Sequence, residues 1–294
     1  MDWEKPLKNM RDDLKFYIQK NEIKSLVLGV SGGIDSALVA AICYPICKEL
    51  KIKLRGRSLP NTTNKPDEQQ RAIDVGRAFC PDFDIFVIND QVQHILKDSE
   101  KEYSMEEEEK FNKIAEGNIK ARIRMIHLYD LAYRTRGMVL STDNFTELML
   151  GFWTLHGDVG DYGLIQNLWK TEVYALSNWL CNRMDLSDEQ SKALRDCTNA
   201  VPTDGLGISN SDLDQLGAAT YDEVDKILKT WLTEDLDSFY YDEDFLGYQG
   251  RPTDSKEFFK FRDNLKNHPV IQRHLKSKFK RLNPINIKRE RIFR

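Results

Sequence analysis

Hydrophobic positions along the chain follow two rhythms. Leu7, Met10, Leu14, Tyr17 and Ile18 recur at helical spacing, so the chain is predicted to open with an amphipathic helix. Ser25-Leu26-Val27-Leu28-Gly29-Val30 is then a short apolar run, the signature of a strand covered on both faces. It leads directly into Ser31-Gly32-Gly33-Ile34-Asp35-Ser36 and a helix over 37–50. Strands are predicted over 54–59 and 83–88, on either side of a helix over 67–79 that Asn61-Thr62-Thr63-Asn64-Lys65-Pro66 precedes as loop. A long helix follows, with Ile119, Ile123 and Ile126 on one stripe and Arg122, Tyr129 and Tyr133 on another. Next come a buried strand over 138–141, a helix over 144–153, a Gly/Asp-rich loop over 157–163 and a helix over 171–184. Beyond Leu186 only short helices are predicted, over 187–197 and 221–232.

Strands alternating with helices predict an α/β fold with a doubly wound parallel sheet and a helical C-terminal extension. One domain over 1–294 is expected, with an N-terminal helix in 1–24 and the extension in 185–294. The stretch 97–110, with Glu106-Glu107-Glu108-Glu109, reads as a solvated loop because its like charges repel.

Composition narrows the classes. A chain of 294 residues can bury a sizeable core without disulfide or metal staples. Its 43 Lys+Arg against 47 Asp+Glu give a charge of −4, which argues against a nucleic-acid partner. No segment reaches the roughly 18 apolar residues of a membrane span, and the first residues lack a basic then apolar leader. A cytoplasmic protein with no membrane partner is the expectation. Cys43, Cys47, Cys80, Cys181 and Cys197 form no CxxC pair and read as buried thiols. The tail carries an acidic, aromatic segment over 235–244 and ends in a basic one over 273–294, whose residues 274–280 read as either an anion patch or a solvated helix.

Candidate chemistry sits after the first strand. Two glycines between a buried strand and a helix let backbone N–H groups turn toward an anion. The helix N-terminus adds partial positive charge, and Ser31 and Ser36 add hydroxyl donors. The loop matches neither the Walker nor the GxGxxG pattern. Asp35 would repel a bound phosphate unless a divalent cation lay between them.

This SGGxDS loop resembles the pyrophosphate loop of the N-type ATP pyrophosphatases, which have an adenine nucleotide alpha-hydrolase-like, Rossmann-like fold. Within that class the middle of the chain resembles the NAD synthetases. Gly117-Asn118-Ile119-Lys120-Ala121-Arg122-Ile123-Arg124-Met125 is similar to their GNxxARxRM segment, and Ser141-Thr142-Asp143-Asn144-Phe145-Thr146-Glu147 to GTxNxxE. Gly157-Asp158, Leu168-Trp169-Lys170-Thr171-Glu172-Val173 and Lys280-Arg281-Leu282-Asn283-Pro284 continue the likeness in order.

The resemblance implies a carbon–nitrogen ligase: ATP-dependent amidation of nicotinic acid adenine dinucleotide (deamido-NAD) by ammonia to NAD⁺, through an adenylated intermediate, releasing AMP and pyrophosphate. It implies ATP contacts at Ser31, Gly32, Gly33, Asp35, Ser36, Thr142 and Lys170, and Mg²⁺ ligands Asp35 and Glu147. It places the dinucleotide acid on Arg122, Asp158, Thr203 and Lys280, with Asp35, Lys170 and Asp158 as catalytic residues. It further implies a homodimer. About 25 residues precede the first strand, fewer than the roughly 50 a glutamine-hydrolysing domain would need, so ammonia is expected to be used directly. Another adenylating amidotransferase or thiolase of the same class, or a nucleotide-binding homologue with weakened turnover, are the alternatives.

Four features depart from the family pattern. The GDGGAD run is shortened to Gly157-Asp158-Val159-Gly160-Asp161, and the proline that follows it is replaced by Leu164-Ile165-Gln166. Ser58 stands where many bacterial members carry an ATP-contacting arginine, with Arg57 beside it, and Phe279 replaces a histidine before Lys280.

Overall fold

The structure is a computed structural model that describes residues 2–102, 109–183, 185–202, 212–232 and 265–282. Strands β1 (Ser25–Gly29), β2 (Lys53–Ser58), β3 (Asp82–Ile85) and β4 (Gly137–Val139) form a parallel sheet in the order β3-β2-β1-β4. Leu26 sits beside Leu54 of β2 and Met138 of β4, which fixes the register of the central strand. The order reverses between β1 and β4: the chain winds one way from β1 to β3 and returns to the other side for β4. Loops leaving β1 and β4 therefore diverge at their carboxyl ends, the crevice where open α/β sheets take ligands.

Helices cover both faces. On one lie α1 (Glu4–Lys20), α2 (Ile34–Leu50), α3 (Pro66–Phe79), α7 (Lys170–Cys181) and α8 (Asp188–Thr198). On the other, α5 (Glu109–Arg134) packs on β1 and β4 with α4 (Asn89–Glu102) beside it. Side chains of β1 alternate between these layers. Leu26 and Leu28 enter the large core with Leu38, Ile42 and Ile46, whereas Val27 packs with Ala132 and Val139. Each such side chain, fully buried, contributes roughly 1.5–3 kcal/mol. Helix α2 is apolar around most of its circumference, as expected of a helix enclosed by sheet and neighbouring helices.

A second hydrophobic cluster joins α6 (Phe145–Leu150) and the start of α7 to α9 (Asp212–Leu216), α10 (Tyr221–Leu232) and α11 (Pro269–Lys276). Phe145, Trp169, Leu228 and Ile271 meet there. The extension thus packs directly behind the two helices that carry Glu147 and Lys170. A last short helix, α12 (Lys278–Arg281), follows.

Differences from the sequence pattern have local causes. Residues 97–102 are helical rather than loop, because Val92 and Leu96 sit one turn apart and face Ile88 and Ile123. Glu106, Glu107 and Glu108 lie outside the described residues, as do segments 235–244 and 283–294 and the Asn283-Pro284 pair. β3 ends at Ile85, although the Phe86 and Ile88 amides still donate to the Ser58 and Pro60 carbonyls. α6 stops at Leu150 because Gly151 takes a left-handed cap with φ 57°, against which the side chain of Ser277 packs. All five cysteines are free and buried. Among the described residues, no helix is long and apolar enough to cross a membrane.

Candidate active site

The phosphate loop is shaped by Gly32. Its φ of +85° is one that side chains rarely adopt, and a Cβ there would lie 2.2 Å from the Glu68 carbonyl oxygen of α3. The turn is locked by hydroxyls: Ser31 Oγ accepts from the Gly33 amide at 3.2 Å, and Ser36 Oγ donates to the Gly33 carbonyl at 3.1 Å. Gly33, the N-cap of α2, supplies no side chain to cap the helix. The first-turn amides of α2 are thus left to an anion.

Asp35, in that first turn, meets two residues from the opposite wall. Lys170 Nζ donates to Asp35 Oδ2 at 2.5 Å and to Glu147 Oε1 at 3.0 Å, and all three side chains are largely buried. Asn144 Nδ2 donates to Asp35 Oδ1 at 2.9 Å. Asn144 also begins α6 through a capping box: its Oδ1 accepts from the Glu147 amide, and Glu147 Oε2 accepts from the Asn144 amide. One residue therefore holds both carboxylates, Asp35 by its side-chain amide and Glu147 by its backbone N–H. Glu147 is aimed from the first turn of α6, and Lys170 is itself the first residue of α7.

Electrostatics follow from burial. Burial lifts the Glu147 carboxyl to about 7 and Asp35 pushes it the same way, against the pull of Lys170. Burial opposes the charge on Lys170, but Asp35 and Glu147 outweigh it and hold the ammonium well above its usual range. Lys170 Nζ also lies 5.3 Å from the ring centre of Tyr221. Asp143, hydrogen-bonded to Ser141 Oγ at 2.9 Å, is raised well above the normal carboxylate range by burial, then by Glu147 and Asp158.

The cavity beside this group has a volume of about 750 Å³ and runs from the phosphate loop past Thr142 and Asp158 to Lys280. Asp158 Oδ2 accepts from the Thr154 amide at 2.6 Å, and burial raises its carboxyl above the ordinary range. Lys280 donates to the carbonyls of Gly151 and Trp153, so it braces the loop leading to Asp158. Burial and Arg273 lower its ammonium below the usual lysine range.

A family model described as NAD synthase matches residues 7–257. The chain belongs to the NAD synthase family. A relative named NH(3)-dependent NAD(+) synthetase from Campylobacter jejuni subsp. doylei is 31% identical over 231 residues, 78% of this chain and 88% of that one. The structure of NH3-dependent NAD synthetase from Campylobacter jejuni subsp. jejuni matches with a TM-score of 0.63 at 26% identity, covering 98% and 100% of the two chains. The NMN synthetase structure from Francisella tularensis matches with a TM-score of 0.72 over 98% and 99%, and at 22% identity it speaks for the fold.

Against this NAD synthase frame, the structure gathers Ser31, Gly32, Gly33, Asp35, Ser36, Thr142, Asp158 and Lys280 around one cavity, with Glu147 and Lys170 beside Asp35. Arg122 is not among them: it is exposed on α5, and its Nε donates to the Leu155 carbonyl at 3.3 Å. Arg124, half a turn on, lines the cavity instead and donates to the Leu59 carbonyl and Asn64 Oδ1. Thr203 lies outside the described residues. Ser58 is buried on the cavity wall, and the Arg57 guanidinium is engaged by Asp82 and the Gly56 carbonyl. Asp161 accepts from the Val139 amide and Tyr129 Oη, which ties the shortened loop to β4.

Sequence reasoning missed Arg71, Asp143, Asn144 and Asp225. Asn144 was findable from the Asn-x-x-Glu capping spacing. Asp225 was not: it lies on α10, where Oδ1 accepts from Thr146 Oγ1 at 2.5 Å and Oδ2 from the Thr171 amide at 2.9 Å. It staples the helix of Glu147 to the helix of Lys170.

Proposed function

We propose that this chain is an ammonia-dependent NAD⁺ synthetase that uses ATP to amidate nicotinic acid adenine dinucleotide. The observation that carries this reading is the meeting of Asp35, Glu147 and Lys170 beside an amide-rich loop at the sheet's switch point. The substrate carboxylate oxygen attacks the α-phosphorus of ATP. The bond from that phosphorus to the α,β-bridging oxygen breaks, and its electron pair leaves with pyrophosphate. The α2 amides and the Ser31 and Ser36 hydroxyls hold the phosphates, and Lys170 stabilises charge as it develops. Ammonia then attacks the activated carbonyl carbon, AMP departs with the electron pair of the carbonyl–oxygen bond, and a proton is lost from nitrogen.

Two buried carboxylates from different elements, within reach of one cation and next to a phosphate site, fit Mg²⁺, which takes carboxylate, phosphate and water oxygens. Asp35 and Glu147 would hold it, and it would supply charge neutralisation for the phosphates. Among the described residues there is no cluster of three or more His, Cys, Asp or Glu side chains able to hold a metal ion. The homodimer and the cytoplasmic setting belong to the same reading.

The test incubates purified protein with Mg-ATP, the dinucleotide acid and either ammonium or glutamine, and follows NAD⁺ and pyrophosphate. A parallel arm offers the mononucleotide acid, the substrate suggested by the name of the Francisella enzyme. Ammonium-dependent NAD⁺ formation that Asp35→Ala and Glu147→Ala each abolish supports the proposal. ATP binding without pyrophosphate release, or full activity in both variants, overturns it.

A further inference from the structure

The charges at the phosphate loop do not balance with the residues named so far. Asp35, Glu147 and Lys170 together carry about one negative charge, and an ATP triphosphate brings roughly three to four more, of which a divalent ion offsets two. A further cation is needed on the loop side, and several guanidinium groups line the cavity. The Arg57 guanidinium is engaged by Asp82. Arg124 is engaged by the Leu59 carbonyl and Asn64. Arg273 lies over the Phe152 ring, 4.5 Å from its centre.

Arg71 differs from these in touching the phosphate loop itself. Helix α3 lies directly against Gly32, and Arg71 Nε donates to the Gly32 carbonyl at 3.1 Å. That bond occupies the carbonyl and holds a guanidinium against the loop. The side chain lines the cavity. Nη1 is paired at 2.7 Å with Asp67, one turn earlier, whose carboxylate is 67% exposed. An exposed partner of this kind contributes little and yields readily to a stronger anion. Nη2 makes no hydrogen bond among the described residues. Once Asp67 yields, Nη1 and Nη2 together offer the planar edge that suits bidentate binding of phosphate oxygens, while Nε keeps its bond to the backbone.

We propose that Arg71 binds the β,γ-phosphates of ATP and the pyrophosphate that leaves, the cationic contact that Ser58 cannot make. This rests on the ATP-cleaving reading above, and its test does not require turnover. Calorimetry measures Mg-pyrophosphate and Mg-AMP binding to the wild type, Arg71→Gln, Arg71→Lys and Asp67→Asn. Gln can still donate to the Gly32 carbonyl but has no charge.

Arg71→Gln is expected to weaken pyrophosphate roughly tenfold to a hundredfold, the range of a charged hydrogen bond. AMP binding should stay within about twofold of the wild type by the same scale. Arg71→Lys should fall between the two, and Asp67→Asn should bind pyrophosphate at least as tightly as the wild type. Unchanged pyrophosphate affinity in Arg71→Gln overturns the proposal. So does an equal loss of AMP and pyrophosphate, which would mark Arg71 as a support of the loop. If Arg71→Gln fails to fold, Arg71→Lys decides by the same comparison. A wild type that binds Mg-pyrophosphate but forms no amide removes the functional reading and leaves this one standing.

Discussion

Lys170→Met isolates what the buried ammonium does. Nζ lies 2.5 Å from Asp35 and 3.0 Å from Glu147, and the lysine side chain is only 3% exposed. Removing it leaves two buried carboxylates facing each other, and breaking a buried pair in this way costs about 3–5 kcal/mol. For a domain of this size that is a fall in melting temperature of roughly 5–8 °C. The loss should depend on pH with a definite sign. Glu147 binds its proton at about 7 in the folded protein and near 4.5 when unfolded, so the native state holds more protons between those values. Stability therefore falls as pH rises through that window, and the variant, with no ammonium to oppose the carboxylates, should show the steeper fall. Mg²⁺ should restore much of the lost stability by taking the ammonium's electrostatic place. The assay is a melting series at pH 5.5 and 8, with EDTA or with Mg²⁺. A variant as stable as the wild type in EDTA at pH 8, or one indifferent to Mg²⁺, would refute the account of the trio as a metal site whose carboxylates the ammonium partly offsets.

Two further outcomes follow from the same geometry. Asp225→Asn turns one acceptor into a donor facing the Thr171 amide, at a cost of about 1–3 kcal/mol, and loosens α6 from α7. The Mg²⁺ concentration for half-maximal activity should rise while the KM for the acid substrate holds, and an unchanged Mg²⁺ requirement would show the staple to be merely structural. Because Glu147 must ionise to hold Mg²⁺ and its carboxyl sits at about 7, apparent Mg²⁺ affinity should fall roughly tenfold from pH 8 to pH 6. Nucleotide-free melting shifts with Mg²⁺ measure it, and equal shifts at both pH values would contradict it.

What the sequence discloses is what depends on neighbours in the chain. The strand-loop-helix of Leu26 to Leu50 is legible because an apolar run, two glycines and a helix start are contiguous. The last turns of α4, over 97–102, do not read as helix because polar residues dominate them, and the partners that order the helix through Val92 and Leu96, Ile88 and Ile123, come from elsewhere. Arg122 and Arg124 show the same limit at a finer scale. Two residues apart on a helix, they point about 200° apart, and only the packing of α5 on the sheet decides that Arg124 turns inward. Arg71 and Asp225 carry no local signal, since each acts on a loop or helix more than 35 residues away.

That distance gives the helical extension a physical role. Glu147 and Lys170 begin different helices, and each would be free to drift with its own loop. Thr146 Oγ1 accepts from the Lys170 amide at 2.9 Å and donates to Asp225, whose second oxygen takes the Thr171 amide. The two helix starts are thus joined through one carboxylate supplied by α10. His274, Lys280 and Arg281 accomplish the matching task at the other end of α6, engaging the carbonyls of Met149 and Gly151. The positive charges of Lys280 and Arg281 at a helix C-terminus are favourable in themselves, so α6 is held at both ends by residues from the extension. Glu147 is consequently fixed by the extension as much as by the sheet, and mutations in α10 to α12 should reach the site through the placement of that one carboxylate.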